Sequence, residues 1–93
     1  VQAAAGGVGS LLVQLAKRRG CVVYGTAGSD AKLGLLRELG VDVPINYQRN
    51  DFVEAIRAIR GADGIDVVFD SLGGAAVRRG LGLLAAGGRM VCF

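Results

Sequence analysis

The sequence contains no histidine and no tryptophan, and it has one proline and two cysteines among 93 residues. Without histidine, the chain cannot form a Ser-His-Asp or Cys-His catalytic group. Two cysteines and no histidine also offer too few of the usual ligands for a zinc site. We therefore expect neither a histidine-dependent hydrolase nor a bound metal.

Long apolar runs and strong charge are also lacking. No stretch approaches the roughly 18 apolar residues that a membrane span requires. The net charge is only +3, and the one basic run, Lys17 to Arg19, falls at the end of a predicted helix, where cations suit the helix dipole. We expect no nucleic-acid partner and no membrane span. With 52% hydrophobic and 20% charged residues, the composition favours a packed domain over disorder.

Cys21 and Cys92 lie far apart, each in an apolar, strand-like stretch. This placement favours buried, reduced thiols over a disulfide or metal ligands, and it fits a cytoplasmic location. No signal peptide is visible. The sequence begins and ends within strand-like segments, so we expect it to be part of a longer protein.

Strand-like and helix-like patterns alternate along the whole chain. Short, mainly apolar runs predict strands at residues 1–4, 21–25, 43–47, 65–70 and 88–93. Helical spacing predicts helices over 8–19, from a cap at Ser29 or Asp30 to Gly40, after a cap at Asn50 or Asp51, and, more weakly, over 75–85. This alternation predicts an α/β fold: one Rossmann-type domain over residues 1–93, with a doubly wound parallel sheet between two helix layers.

Three details of this fold are also predicted. The strands at 21–25 and 65–70 are expected to be buried on both faces. Pro44 suggests the first residue of a strand or an edge strand. The first helix is expected to bury Val8, Leu11, Leu12, Leu15 and Ala16.

The stretch AAAGGVG joins the first predicted strand to the first predicted helix. Gly6 and Gly7 permit a sharp turn and close approach of a pyrophosphate to the backbone, and Gly9 permits close packing of the helix on the strand. The spacing Ala4-x-Gly6-x-x-Gly9 is the dinucleotide fingerprint with alanine in the first glycine position. A glycine-rich packing turn is the alternative interpretation.

The second predicted strand ends in GTAGSDAK. An NAD-binding domain places a carboxylate at the strand tip, but Thr26, Ala27 and Gly28 supply none. Asp30 lies beyond the tip, where capping the next helix is the expected role. Lys32 is available for a 2′-phosphate, although an ordinary solvated helix lysine has the same spacing.

AAAGGVG, GTAGSDAK, INYQRNDF, FDSLGG and LLAAGGRMVCF, in this order, resemble the cofactor domain of the medium-chain dehydrogenase/reductases. The most similar branch is the zinc-free, quinone oxidoreductase-like one, and the resemblance covers essentially the whole chain. It implies NADPH as cofactor, hydride transfer to small-molecule quinones or α,β-unsaturated carbonyls, and a homo-oligomeric parent protein.

The resemblance also implies that Lys32 and Tyr47 flank the adenosine 2′-phosphate and that Ser71 and Leu72 lie near the nicotinamide ribose. Tyr47 could instead cap the core at a strand end, and SLGG could be a structural turn. The candidate cofactor-binding residues are Ala5, Gly6, Gly7, Val8, Gly9, Thr26, Gly28, Ser29, Lys32, Tyr47, Ser71 and Leu72.

No catalytic residue is assigned. In the family, most of the catalytic domain precedes this region, and Asp70 at a strand end is typical of a turn former rather than an acid. Two alternatives to a stand-alone reductase stay open: an enoyl reductase domain of a polyketide or fatty-acid synthase, and a non-catalytic nucleotide-binding or association module.

Overall fold

Four helices and four strands alternate in the computed structural model, which describes residues 1–93. In chain order they are α1 (Gly7–Arg18), β1 (Tyr24–Ala27), α2 (Asp30–Glu38), β2 (Val43–Asn46), α3 (Phe52–Arg60), β3 (Ile65–Asp70), α4 (Gly74–Leu81) and β4 (Leu84–Cys92). A short 3₁₀ turn, Gly61–Asp63, follows α3. No helix has both the length and the apolar character to cross a bilayer.

The four strands form two parallel pairs, β1 with β2 and β3 with β4. The first residues of the chain bridge the two pairs. The amide of Gln2 donates to the Phe69 carbonyl at 2.9 Å, and the amide of Ala4 donates to the Thr26 carbonyl at 2.8 Å. The Thr26 amide in turn donates to the Val1 carbonyl at 3.0 Å. The spatial order is β2, β1, residues 1–4, β3, β4, which confirms the doubly wound Rossmann-type arrangement.

The prediction of a regular strand at residues 1–4 is wrong. These residues have turn geometry, and Ala3 has a φ of 51°, in the left-handed region. The chain must bend here to enter α1 at Gly7, and this bend interrupts a regular ladder. The hydrogen bonds to β1 and β3 remain, so the segment still lies at the centre of the sheet.

Helices cover both faces of the sheet. In one core cluster, Val13 of α1 and Leu36 of α2 pack with Ala27 of β1. In a second, Val53 and Ile56 of α3 pack with Ile45 of β2. Helix α4 packs on β3 and β4. Two separate clusters on opposite faces give the three-layer architecture predicted from the alternating pattern.

The predicted buried face of α1 is largely wrong. Val8, Leu11 and Leu15 are each more than half exposed, whereas Gly9 and Val13 are buried. The cause is the close approach at Gly9, where a Cβ atom would lie 2.3 Å from the Ala3 carbonyl oxygen. This contact sets the rotation of the helix, so the line through Gly9 and Val13 faces the sheet and the more apolar line faces outward.

The strand after α1 begins later than predicted. Residue 21 closes the helix end, because its amide donates to the Ala16 carbonyl at 3.1 Å, and Val22 is exposed. Both cysteines are exposed, which corrects the prediction of buried thiols: Cys21 lies in this turn and Cys92 ends the outer strand β4. In β3 the expected two-sided burial also fails, since Val67 is 44% exposed.

The last helix is shorter than predicted and the last strand is longer. Helix α4 ends at Leu81, with Gly82 as its C-cap, and Leu84 already pairs with Ile65. Gly80 and Gly82 lower the helix propensity of this stretch, and Leu83, which is buried, packs in the core directly before β4. A register shift between Ile65 and Val67 accommodates the extra residues of β4.

Several predicted helix ends are confirmed. Gly20 and Gly40 have φ values of 78° and 95° just after α1 and α2, a left-handed geometry that favours glycine. Asp51 caps α3, since its carboxylate accepts from the amides of Val53 and Glu54. Pro44 is the second residue of β2, which pairs only with β1 and is therefore an edge strand.

Candidate functional site

The amino end of α1 leaves its first amides free. Gly6 is the N-cap in an extended conformation, and no side chain caps the helix. The first helical hydrogen bond runs from the Ser10 amide to the Gly6 carbonyl at 2.8 Å, and the amides of Gly7, Val8 and Gly9 donate to no protein acceptor. Three free donors and the positive end of the helix dipole favour an anion at this point.

The glycines of this turn divide into two roles. A Cβ atom on Gly7 would meet nothing within 4 Å, so the space above this residue is open. A Cβ atom on Gly9 would collide with the backbone of Ala3 and Ala4, at 2.3 Å and 2.9 Å. Gly9 therefore serves packing, as predicted, whereas the open face at Gly7 leaves room for a phosphate group to contact the backbone.

The turn lies at the switch point of the sheet, where β1 and β2 lie on one side of residues 1–4 and β3 and β4 lie on the other. Residues 1–4 pass between β1 and β3, so the end of this segment opens between the carboxyl ends of those two strands. In open α/β sheets, ligands bind in the crevice at this switch point. The fold and the free amides of α1 therefore indicate the same place for an anionic ligand.

Gly28 and Tyr47 are in contact at the carboxyl ends of β1 and β2. A Cβ atom on Gly28 would lie 2.8 Å from the Tyr47 hydroxyl oxygen, so the tyrosine fills the space of a side chain at position 28. Tyr47 is 39% exposed, and its amide donates to the Ala27 carbonyl at 3.1 Å. Lys32 is exposed in the first turns of α2 and makes no ion pair with a protein group.

Asp30 does not cap α2, which corrects the expectation. Ser29 is the N-cap residue, and its side chain makes no capping bond. The Asp30 carboxylate instead accepts from the Asn46 side-chain amide at 2.8 Å and pairs with Arg49 at 2.7 Å. The sequence did not single out either partner, although the register places Asn46 opposite Ala27 at the strand ends.

Thr26 is buried, and its hydroxyl is already engaged. It donates to the Gln2 side-chain oxygen and accepts from the Ala3 amide at 3.2 Å. The hydroxyl thus ties β1 to the segment that leads into α1. Gly28 and Ser29, the candidates that follow β1, lie closer to the surface than Thr26.

Asp70 forms the turn after β3, as predicted. One carboxylate oxygen accepts from the amides of Leu72 and Gly73, both at 2.8 Å, while the other is buried without a partner. The residue is 1% exposed, so these bonds fix the loop from inside. Ser71 and Leu72 project from the loop and are exposed.

A cleft of about 240 Å³ opens at the same edge of the sheet, beside α3 and α4. Tyr47 and Leu72 both line it, so the structure brings together candidates from two different loops. Asp51 and Arg79 form an ion pair in its wall, and the hydrogen bond from Arg79 holds the pKa of Asp51 below its ordinary value. A second cavity of about 190 Å³, near Arg60, lies away from the candidate residues.

Known proteins share both the sequence and the fold of this chain. It is 43% identical over 91 residues to a component of the phenolphthiocerol/phthiocerol polyketide synthase of Mycobacterium tuberculosis, covering 98% of the chain and 4% of the relative. The quinone oxidoreductase of Escherichia coli, solved with NADPH, superposes with a TM-score of 0.90 at 39% identity, covering 99% of this chain and 28% of that one.

The nucleotide-binding subdomain of the enoylreductase domain of PpsC from M. tuberculosis superposes with a TM-score of 0.85 at 44% identity. The match covers 97% of this chain and 50% of that one. The chain therefore spans half or less of each of these relatives.

The family that matches this chain is that of the zinc-binding dehydrogenases, but the residues of this chain do not fit a zinc site. The chain has no histidine, and no three side chains among its Cys, Asp and Glu residues are grouped as metal ligands. The model of the zinc-binding dehydrogenases nevertheless matches residues 7–93. The chain belongs to this family, as an α/β unit that corresponds to the nucleotide-binding part of oxidoreductase relatives.

Proposed function

We propose that this chain binds NADPH as the nucleotide-binding part of an oxidoreductase that reduces quinones or α,β-unsaturated carbonyls. The observation that carries the proposal is the uncapped amino end of α1, with free amides at Gly7, Val8 and Gly9 and open space above Gly7. A pyrophosphate fits both features, since it is anionic and contacts backbone rather than side chains. The NADPH complex of the quinone oxidoreductase relative supports this assignment.

The preference for NADPH over NADH rests on the edge formed by β1 and β2. No carboxylate lies at Ala27 or Gly28, and Tyr47 fills the space where a side chain at position 28 would project. Lys32 is exposed and free of protein partners, so its ammonium group is available to a 2′-phosphate. We propose Lys32 and Tyr47 as the residues that flank this phosphate.

The cleft lined by Tyr47 and Leu72 is proposed to lie between the two ends of the nucleotide, with the adenosine 2′-phosphate beside Tyr47 and the nicotinamide ribose beside Leu72. In this arrangement the pyrophosphate is surrounded by the residues of the turn, Ala5, Gly6, Gly7, Val8 and Gly9. The rim of the crevice is completed by Gly28, Ser29 and Ser71. The buried Thr26 contributes indirectly, because its hydroxyl bonds hold the turn in place.

The nicotinamide supplies the hydride when it is bound, and the part of this chain is to bind and orient the cofactor. No side chain here is proposed to touch the reacting atoms. The test is oxidation of NADPH, followed by absorbance, with a quinone and with an enone as acceptor. Turnover by the full-length protein with either acceptor is expected, and turnover with neither would reject the proposed substrate class.

A second candidate is the enoyl reductase domain of a polyketide synthase. Its support is the 43% identity to the mycobacterial synthase and the close superposition on a solved enoylreductase subdomain. Activity with an acyl-thioester enone but not with quinones would favour it. Tight binding of NADPH with no turnover in any assay would instead favour a non-catalytic module. A cytoplasmic location and a homo-oligomeric parent protein remain predictions.

A further inference from the structure

The carboxylate of Asp30 lies at the edge where the adenosine ribose is proposed to bind. Asp30 is the first residue of α2, three positions after Ala27 ends β1. Asp30 is the first acidic residue after the end of β1. An acid here would accept a hydrogen bond from a ribose 2′-hydroxyl and would repel a 2′-phosphate. Its orientation therefore bears on which dinucleotide binds.

Both oxygens of this carboxylate are held by groups from the other strand and its loop. Oδ1 accepts from the Asn46 side-chain amide at 2.8 Å, and Oδ2 pairs with the Arg49 guanidinium at 2.7 Å. Asn46 is itself fixed, because it is buried and its side-chain oxygen accepts from the Gln48 amide at 2.9 Å. The carboxylate of Asp30 therefore links the start of α2 to the end of β2 and its loop.

We propose that Asn46 and Arg49 are positioning residues that set the nucleotide preference by engaging both oxygens of the Asp30 carboxylate, so that neither is free to accept from a ribose 2′-hydroxyl. The guanidinium charge of Arg49 offsets that of the carboxylate, whereas Lys32, two residues further along the chain, makes no ion pair. The proposal rests on the proposed binding of NADPH. It adds that an acid is present beside the ribose site and is kept out of use by its partners.

The test compares dissociation constants for NADPH and NADH in the full-length protein and in Arg49→Gln, Asp30→Asn and the double variant. Arg49 is exposed, with a side chain 71% accessible, so its replacement is compatible with folding. In Arg49→Gln the freed carboxylate should weaken NADPH and strengthen NADH, each by about two- to fivefold, the scale of an exposed charge interaction. Arg37→Gln, which removes the same charge from the far end of α2, is the control and should change neither constant.

The double variant separates this role from direct contact. If Arg49 acts through Asp30, adding Asp30→Asn restores NADPH binding to the wild-type value and removes the gain for NADH. If Arg49 contacts the phosphate itself, Arg49→Gln weakens NADPH, leaves NADH unchanged and is not rescued by Asp30→Asn, and this outcome overturns the proposal. An unchanged ratio in Arg49→Gln also overturns it. Equal binding of both nucleotides by the wild-type protein would reject the proposed cofactor preference as well, so the two failures are distinguishable.

Discussion

Replacement of Gly7 by valine separates a binding turn from a packing turn. The added Cβ would meet no atom within 4 Å, and Gly7 is the first residue of α1, so the fold should accept it. Valine is a somewhat better helix former than glycine, and the free energy of unfolding should change by less than about 1 kcal/mol. The branched side chain would, however, occupy the space in front of the free amides.

The expected loss of affinity follows from those amides. A hydrogen bond to a charged group contributes about 1.5–3 kcal/mol. Displacing a pyrophosphate from two of the donors should therefore cost about 3–6 kcal/mol, which raises the dissociation constant by roughly a hundredfold or more. Both NADPH and NADH should be affected, since they share the pyrophosphate.

The assay is titration of the full-length protein with each nucleotide, together with a melting curve. Gly34→Val is the matched control, because Gly34 is also an exposed helical glycine with open space around it and lies in the middle of α2. It should leave both affinities unchanged. Gly9→Ala is the opposite case: its methyl group would collide with the Ala3 backbone, so the melting temperature should fall. If Gly7→Val folds and binds NADPH normally, AAAGGVG is only a packing turn.

Three further predictions concern charge and catalysis. Lys32→Ala should raise the dissociation constant for NADPH by about tenfold or more, the scale of one charge-assisted contact, and leave NADH nearly unchanged; an equal loss for both would contradict a 2′-phosphate role. The hydrogen bonds from Lys17 and the Val23 amide hold the pKa of Asp42 below its ordinary value of 3.8, so they stabilise the fold above this pH and the gain is lost as the pH falls through the lowered pKa. Urea unfolding should show Asp42→Asn less stable than wild type at pH 7, with a difference that shrinks as the pH falls below 3.8; a difference that does not change with pH would refute the assignment. The isolated 93 residues should show no appreciable reduction of quinones or enones by NADPH, because hydride transfer needs a substrate held in a water-poor cleft; turnover near the full-length rate would place the substrate site within this chain.

The local signals in the sequence predicted the layout of the fold well. Alternating β-rich and helical stretches predicted the parallel three-layer arrangement, because a parallel strand needs a crossover that a helix supplies. Glycines at 20 and 40 and the aspartate at 51 predicted helix ends, since their effects depend on only a few neighbouring residues. The glycine-rich turn before α1 could be found for the same reason.

The errors arose where distant contacts decide the outcome. Helix α1 has two apolar lines, and hydrophobicity alone favoured the one through Leu11 and Leu15, which is exposed. The structure buries the line through Gly9 and Val13, because only glycine allows the helix to approach the Ala3 carbonyl so closely. No periodicity records this contact between backbone atoms.

Distant contacts also limited what the sequence could predict about the candidate site. The turn residues could be found from glycine spacing, but the partners of Asp30 lie 16 and 19 positions further along the chain, and only the pairing of β1 with β2 brings them near. A helix-capping role was the natural local interpretation of Asp30. It was wrong because the ion pair and the side-chain amide across the strand ends compete for the same oxygens.

The most direct test of the account is a crystal structure of the full-length protein with NADPH. We expect pyrophosphate oxygens within about 3.2 Å of the amide nitrogens at the start of α1, the range of a hydrogen bond. We also expect the 2′-phosphate to lie between Lys32 and Tyr47. A nucleotide bound elsewhere, or a pyrophosphate that makes no contact with the amides of Gly7, Val8 and Gly9, would contradict it.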